Sequence, residues 1–481
     1  MDRSIRTRRD FLKTIGLAAA SLAVPAGRTN AKAGETTARA RKPNVLFLFT
    51  DDQREDTIAA LGNPHIRTPN LDKLAKSGVV FTNAYCMGGF SGAVCLPSRM
   101  MLLRGRSWFS VRNLPKDAPN FPKSINEAGY VSYHHGKRGN TARSVHPFFT
   151  YSHYLGDGAV RLSGHPGEVV ANDATRFLRE RKKGKPFFMY LAFASPHDPR
   201  VAPEEYLAKY DIERIPVPPN FKPFHPFNNG ELLIRDEQLA PWPRTKAVIR
   251  KHLRDYYADI TYLDEQIGRI IRTLKDLGEY ENTIIIFSSD QGIAIGSHGL
   301  MGKQNLYEDS MGVPLIFCGP GIPKGKSSDA LAYLFDVYPT VCELVGAKVP
   351  ASLEGKSLAP VIQGKTNKVR DTVFLAYKNL QRAVRRGRWK LLRYPQINRT
   401  QLFDLRKDPD ETKDLADDPA YAGKVKELLA VMTEQQKLFG DSQPLTSDNP
   451  QPAKVNLEFF KKPSAAKKRK GKQNKTQKKN I

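Results

Sequence analysis

Cysteine is scarce in this chain, with four in 481 residues. A scaffold held by disulfides is therefore excluded, and no Cys/His grouping has the spacing of a zinc site. Acids are short as well: 49 Asp and Glu stand against 76 Lys and Arg, a formal net charge of +27. That balance favours polyanionic partners, whether polysaccharide, nucleic acid or anionic lipid. A zinc finger, an RNA-binding aromatic signature and a P-loop are all missing, so specific nucleic-acid binding would rest on charge alone. Beyond the first 24 residues no apolar run approaches the length of a membrane span, and no transmembrane anchor is expected. Internal repeats are also absent. What remains is a chain with 40% hydrophobic and 9% aromatic residues, enough for one large domain and a smaller one.

The termini differ from the rest. Thr7-Arg8-Arg9-Asp10-Phe11-Leu12-Lys13 resembles a twin-arginine export motif. An apolar run, Ile15 to Val24, follows, and then Ala31-Lys32-Ala33, a small-residue cleavage site. The run is too short to span a bilayer, so 1–33 reads as a signal peptide. This predicts passage through the twin-arginine translocase to the periplasm or the cell exterior. From Lys461 to Lys479 the chain is lysine-rich and without acids. Such a block repels itself and is expected to be a disordered basic tail over 451–481.

Between the termini, short apolar runs alternate with helical patterns. Asn44–Phe49, Pro186–Phe193 and Thr283–Phe287 read as buried parallel strands. Pro314–Cys318 reads as another buried strand, and Cys342 falls in an apolar helix, so both cysteines are expected to be inert. Pro69–Ser77 reads as a helix, and Thr245–Leu277 as a helix with a break. Its stripe of Leu253, Tyr256, Ile260, Leu263, Ile267 and Ile270 is core packing. The pattern implies an α/β fold: a large, mostly parallel sheet sandwiched by helices. Each of the three strands runs into a polar cluster: Thr50-Asp51-Asp52, Ser195-Pro196-His197-Asp198 and Ser289-Asp290-Gln291-Gly292. Ligands bind beyond the carboxyl ends of such strands, so these clusters are expected to share one edge. Pro199 to Pro243, rich in Pro, Phe and Asn, reads as an insertion over that edge. Phe224, His225 and Trp242 within it are candidates for a sugar subsite or for pinning the loop. After residue 366 a hairpin around Val384–Leu392, a short strand Gln401–Leu405 and a helix Lys424–Leu438 predict a smaller C-terminal α+β domain.

The segment Cys95-Leu96-Pro97-Ser98-Arg99-Met100-Met101-Leu102-Leu103-Arg104-Gly105 carries the chemistry. Pro97 suits a first helical turn and Gly105 an end, which places residue 95 at a helix N-terminus, a favourable place for an anion. Here the chain resembles the type I sulfatases of the alkaline phosphatase superfamily, whose modification signature is Cys-x-Pro-Ser-Arg. Arg104 stands where that signature usually has Thr. Asp51-Asp52, Gly136-Lys137, Pro196-His197, Ser289-Asp290-Gln291-Gly292, His298-Gly299-Leu300, Lys303, Tyr307-Glu308 and Leu402-Phe403-Asp404-Leu405 continue the resemblance. Gly139 stands where the family usually has a His, leaving His134 or His135 as candidate substitutes. The resemblance implies a catalytic domain over 41–365 and a C-terminal subdomain over 366–450.

It also implies the chemistry. Residue 95 would be converted by a formylglycine-generating enzyme to an aldehyde, formylglycine (3-oxoalanine), whose hydrate attacks sulfur. Asp51, Asp52, Cys95, Asp290 and Gln291 would hold a divalent metal, Ca2+ by resemblance and Mg2+ as the alternative. Arg99, Lys137 and Lys303 would neutralise the sulfuryl oxygens. His197 would protonate the leaving oxygen, and His298 would contact substrate or simply hold its loop. A sulfated carbohydrate is the expected substrate. Two alternatives keep the site: a phosphonate monoester or phosphodiester hydrolase of the same superfamily, and a non-catalytic binder of sulfated glycans.

Overall fold

The computed structural model describes residues 41–156 and 165–455, with 458 and 460. The export motif, its apolar run and the lysine-rich tail lie outside the described residues. The main sheet has eight strands in the order β5-β4-β6-β1-β7-β8-β2-β9. They are β1 Asn44–Thr50, β2 Gly78–Tyr85, β4 Val131–Gly136, β5 Tyr151–Tyr154, β6 Phe187–Ala192, β7 Thr283–Ser289, β8 Gly312–Cys318 and β9 Lys326–Tyr333. β8 alone runs against the other seven.

The central strands are apolar on both faces because both faces are covered. Val45, Phe47 and Phe49 of β1 point into one core, and Leu46 and Leu48 into the other. Helices α2 (Cys95–Arg104), α3 (Phe121–Glu127) and α6 (Val337–Leu344) supply Met101, Phe121 and Val341 to the first core. Helices α1 (Pro69–Lys76), α4 (Pro166–Glu180) and α5 (Lys246–Asp276) supply Leu71, Ala174 and Ile267 to the second. Each of these side chains larger than alanine contributes about 1.5–3 kcal/mol by leaving water.

The break expected in Thr245–Leu277 is absent: α5 runs unbroken for 31 residues, with the Thr245 side chain capping Val248 N–H. No proline interrupts it. Its one glycine, Gly268, lies where a Cβ would come within 2.6 Å of the Asn70 side chain, so it serves close packing and not a kink. The amino half of α5 buries Ile249, Leu253, Tyr256 and Ile260 against Ala202, Tyr206, Tyr210 and Ile215 of the insertion. That contact holds the irregular 199–243 segment over the sheet.

A second sheet has the order β13-β12-β11-β10-β3. Four strands are C-terminal: β10 Thr372–Tyr377, β11 Gln381–Arg386, β12 Trp389–Tyr394 and β13 Arg399–Asp404. The fifth, β3, is the Gly88–Gly89 pair, which lies just before the Cys95 segment and pairs with Ala376 and Tyr377. Helix α7 (Ala422–Phe439) packs on this sheet. Among the described residues no helix is long and apolar enough to cross a membrane.

Candidate functional site

Asp51 and Asp52 follow β1, Lys137 follows β4, His197 lies past β6, and Asp290 and Gln291 follow β7. The four strands are adjacent and parallel, so their carboxyl ends deliver these groups to one edge. The loop after β1 is fixed from outside. Asp52 has φ 67°, a left-handed conformation that costs a non-glycine residue roughly 1–3 kcal/mol. It is held by its N–H to Asp290 Oδ1 (3.1 Å) and by Tyr256 Oη–H to its carbonyl (2.6 Å).

Cys95 is the first residue of α2, as its motif predicts, and no side chain caps that end. Ser98 Oγ donates to the Asp290 carbonyl (2.6 Å), fixing the helix against β7. The Gly105 N–H closes the helix on the Met101 carbonyl with φ 64°. Arg104, in place of the signature's Thr, is buried and donates from Nη1 to the Ala118 carbonyl at 2.6 Å, tying the following loop to the helix.

The Cys95 Sγ lies 3.2 Å from Asp51 Oδ1, 3.2 Å from Gln291 Nε2 and 3.5 Å from Lys303 Nζ. Lys137 pairs with Asp51 Oδ2, and Arg99 Nη2 is 3.4 Å from the same oxygen. Lys303 Nζ reaches both oxygens of Asp52 at 2.7 Å. Asp290 is pinned on all sides: Oδ2 accepts from Arg99 Nε (2.9 Å), and Oδ1 from the N–H groups of Asp52 and Gln291. His197 Nδ1 donates to the Asp198 carbonyl at 2.7 Å, which turns Nε2 to within 3.8 Å of Asp52 Oδ2.

Burial raises the cost of charge throughout, and the neighbours decide the outcome. It pushes Asp51 up, but Lys137, His197, Arg99 and Lys303 together hold its carboxyl well below the usual range. Burial and then Asp51 push Asp290 up to about 7. Burial works against the charge on Lys303, yet Asp52 foremost keeps it firmly protonated. Burial and Asp51 also push the Cys95 thiol up, so the unmodified side chain is a neutral thiol. Burial alone is the main reason that Cys86, Cys318 and Cys342 rise to about 12, as inert core thiols.

A divalent cation fits this donor set. The ligand atoms of Asp51, Asp52, Cys95 and His197 lie within 4.8 Å of one another. Gln291 Oε1 is buried without a hydrogen-bond partner, although its Nε2 is fully engaged. An oxygen-rich, carboxylate-dominated cluster suits a hard cation.

Three comparisons bear on this geometry. The family model described as sulfatase matches residues 43–347. The chain belongs to the sulfatase family. A second model, N-sulphoglucosamine sulphohydrolase C-terminal, matches residues 296–438 of this sulfatase. An N-acetylglucosamine-6-O-sulfatase of Bacteroides thetaiotaomicron is 28% identical, covering 84% of this chain and 88% of that one. An arylsulfatase of Clostridium perfringens is 26% identical over 85% of this chain and 97% of that one. A solved structure in complex with its substrate D-glucosamine-2-N,6-O-disulfate superposes with a TM-score of 0.72 at 25% identity, covering 85% of this chain and all of that one. The sulfatase is thus a sulfuric ester hydrolase of α/β fold.

Not every residue named from the sequence joins the cluster. His298 is buried on Tyr307, with ring centroids 3.7 Å apart, and its Nε2 meets Asn220 Nδ2 at 3.1 Å. Its contacts hold the loop and not the Cys95 group. His134 points into the first core beside His146 and Tyr190, and His135 faces Asp173 across the other face at 3.0 Å. Beyond its chain neighbours, no atom lies within 4 Å of where a Gly139 Cβ would be. Phe224 and Trp242 stack on one another, with Arg244 over the Trp242 ring, and His225 bonds the Phe227 carbonyl and Tyr307. These groups pin the insertion. Sequence reasoning missed Tyr256, read as packing alone, and Asp236, whose Oδ2 lies 4.0 Å from Lys303 and takes Gln304 Nε2 at 2.7 Å. It also missed Arg235, which clamps Asp198 beside His197.

Proposed function

We propose that this sulfatase hydrolyses a sulfate ester on a sulfated carbohydrate, with Cys95 as the precursor of formylglycine and a divalent cation, Ca2+ ahead of Mg2+, as cofactor. One observation carries the reading: Cys95 opens an uncapped helix with its Sγ 3.2 Å from Asp51 and within 3.5 Å of Gln291 and Lys303. A neutral buried thiol is a poor nucleophile, so the position suits a modified side chain better than a thiolate. Formylglycine supplies a hydrated aldehyde, with one hydroxyl to attack sulfur and a second to release sulfate. Asp51, Asp52, Asp290, Gln291 and residue 95 would hold the cation, which supplies Lewis acidity toward oxygen.

The chain's own groups do the rest. Arg99 and Lys303 are held charged by their carboxylates, Lys137 pairs with Asp51, and all three oppose the negative charge that develops on the sulfuryl group. The α2 N–H groups add to that field. His197, with its Nδ1 proton fixed on Asp198, presents Nε2 to move a proton at the leaving oxygen. The substrate class is supported by the glucosamine-sulfate relative and by the disulfated-glucosamine complex. The arginine pair Arg8-Arg9 and the Ala31-Lys32-Ala33 site support export by the twin-arginine translocase to the periplasm or beyond.

The test is mass spectrometry of the Cys95 peptide after co-expression with a formylglycine-generating enzyme. Conversion gives a loss of about 18 Da together with sulfate ester turnover. An unmodified thiol in an active enzyme would reject the mechanism. A second reading has a structural neighbour: a phosphonate monoester hydrolase of Agrobacterium radiobacter shares the fold, with a TM-score of 0.73 at 23% identity over 83% of this chain and 96% of that one. Faster turnover of a phenylphosphonate monoester than of an aryl sulfate would favour it.

A further inference from the structure

A second concave site lies on the outer edge of the main sheet, and none of the catalytic groups touches it. It is a cavity of about 700 Å³ between β4, β5 and the carboxyl-terminal half of α4. Val131 and Lys185, at the amino ends of β4 and β6, line it. Lys137 and His197 follow the carboxyl ends of the same strands, roughly 20 Å away at the usual rise per residue.

The floor is aromatic. Tyr133 and Phe177 stack with centroids 4.3 Å apart, and Tyr151 meets Phe177 edge-on at 5.8 Å. Tyr151 is 49% exposed, and among the large hydrophobic residues described only Leu438 is more open. The walls are basic: Arg176, Arg181, Lys182, Lys183 and Lys185 line the cavity beside two carboxylates, Asp173 and Glu180. Arg181 is built into the structure, its side chain 5% exposed, paired with Glu279 and lying over the Phe187 ring. Its Nε is buried with no hydrogen-bond partner.

The two halves of the lining ask for one ligand chemistry. The exposed Tyr151 ring, backed by half-buried Phe177 and buried Tyr133, suits the apolar face of a sugar ring, and the basic walls suit sulfate or carboxylate groups on it. A bare inorganic anion would leave the aromatic floor unused. Resting on the proposed function, we propose that this cavity anchors a sulfated sugar unit of the same polyanionic chain, remote from the unit being hydrolysed.

The experiment is lysine-acetylation footprinting of the full chain with dextran sulfate, against neutral dextran. Lys182, Lys183 and Lys185 should be protected by dextran sulfate and by nothing neutral, while exposed Lys275 and Lys324 keep their rates. Equal rates at all five positions would overturn the site. Because the basic tail is common to all variants, affinity ratios for immobilised dextran sulfate report the cavity itself. The triple Lys182→Ser, Lys183→Ser, Lys185→Ser variant should bind about tenfold more weakly. Tyr151→Ala, which removes no formal charge, should lose about threefold. An unchanged affinity for Tyr151→Ala would overturn a sugar site and leave bare charge attraction. Both variants should turn over an aryl sulfate within about twofold of the parent. Protection in a protein inactive on every sulfate ester would keep this cavity and reject the catalytic reading, and hydrolysis without protection would do the reverse.

Discussion

Lys303 Nζ is equidistant, at 2.7 Å, from the two carboxylate oxygens of Asp52 and lies 3.5 Å from the Cys95 sulfur. It comes from the loop after β7 and is fully buried, so its charge is fixed before substrate arrives. Preorganised charge of this kind is worth far more than charge recruited from solvent. Lys303→Ala should lower kcat on an aryl sulfate by about 10²–10³-fold. Thermal unfolding measured on the same sample separates that loss from misfolding. A variant that folds normally and retains more than about a tenth of parental kcat would remove Lys303 from the reaction.

Metal removal makes a second test. Dialysis against a chelator should abolish turnover, and added Ca2+ should restore it. Asp51→Asn should lower bound metal, measured by plasma mass spectrometry, and leave the charge of Lys137 without its partner. Breaking such a buried pair costs about 3–5 kcal/mol, so the variant should also melt earlier. Full activity after exhaustive chelation would reject the cation.

Much of this was legible, for physical reasons. Strands β1, β6 and β7 are buried on both faces, so they read as unbroken apolar runs ending in polar clusters. Those clusters, Asp51-Asp52, His197 and Asp290-Gln291, do meet at one edge. β4 and β5 were hidden, because Ser132, His134, His135 and Ser152 interrupt any apolar pattern. The pairing of β3 with the C-terminal sheet was hidden too, since Gly88-Gly89 carries no strand signal at all. Contacts such as Tyr256 to Asp52, 204 residues apart, depend on tertiary structure and leave no local trace. For His298 the sequence left open a substrate contact or a hold on its loop, and only the tertiary structure shows its stack on Tyr307.

The glycines beside Lys137 should behave oppositely. A Cβ on Gly136 would stand 2.0 Å from the Ala192 carbonyl of β6, while one on Gly139 would meet nothing within 4 Å. Gly136→Ala must push β4 from β6 and carry Lys137 away from Asp51. Overpacking of this kind costs about 1–3 kcal/mol, and activity should fall with it. Gly139→Ala should change stability by less than about 0.5 kcal/mol. Denaturant midpoints of the two variants check both statements, and equal midpoints would contradict them.

Glu411 should set a stability slope from its ordinary carboxylate range up to about pH 8. It is buried beside Glu308, and Lys390 lies 2.8 Å from Glu308 and 2.9 Å from Glu411. Burial first, with Glu308 adding repulsion, pushes Glu411 up to about 8 despite the pull of Lys390. An acid whose folded value lies above its ordinary value binds its proton more tightly when folded. Its stabilising contribution is therefore complete below its ordinary value and is lost as pH rises toward 8. Glu308 is held the opposite way, down at about 2: burial opposes its charge, but Lys390 and Arg385 outweigh it, so it adds no slope in this window. The parent should therefore lose more in thermal midpoint between pH 5 and pH 9 than Glu411→Gln, which cannot ionise, with a difference of a few degrees. Parallel midpoint-versus-pH curves for the two proteins would show that Glu411 is ionised in the folded state at neutral pH.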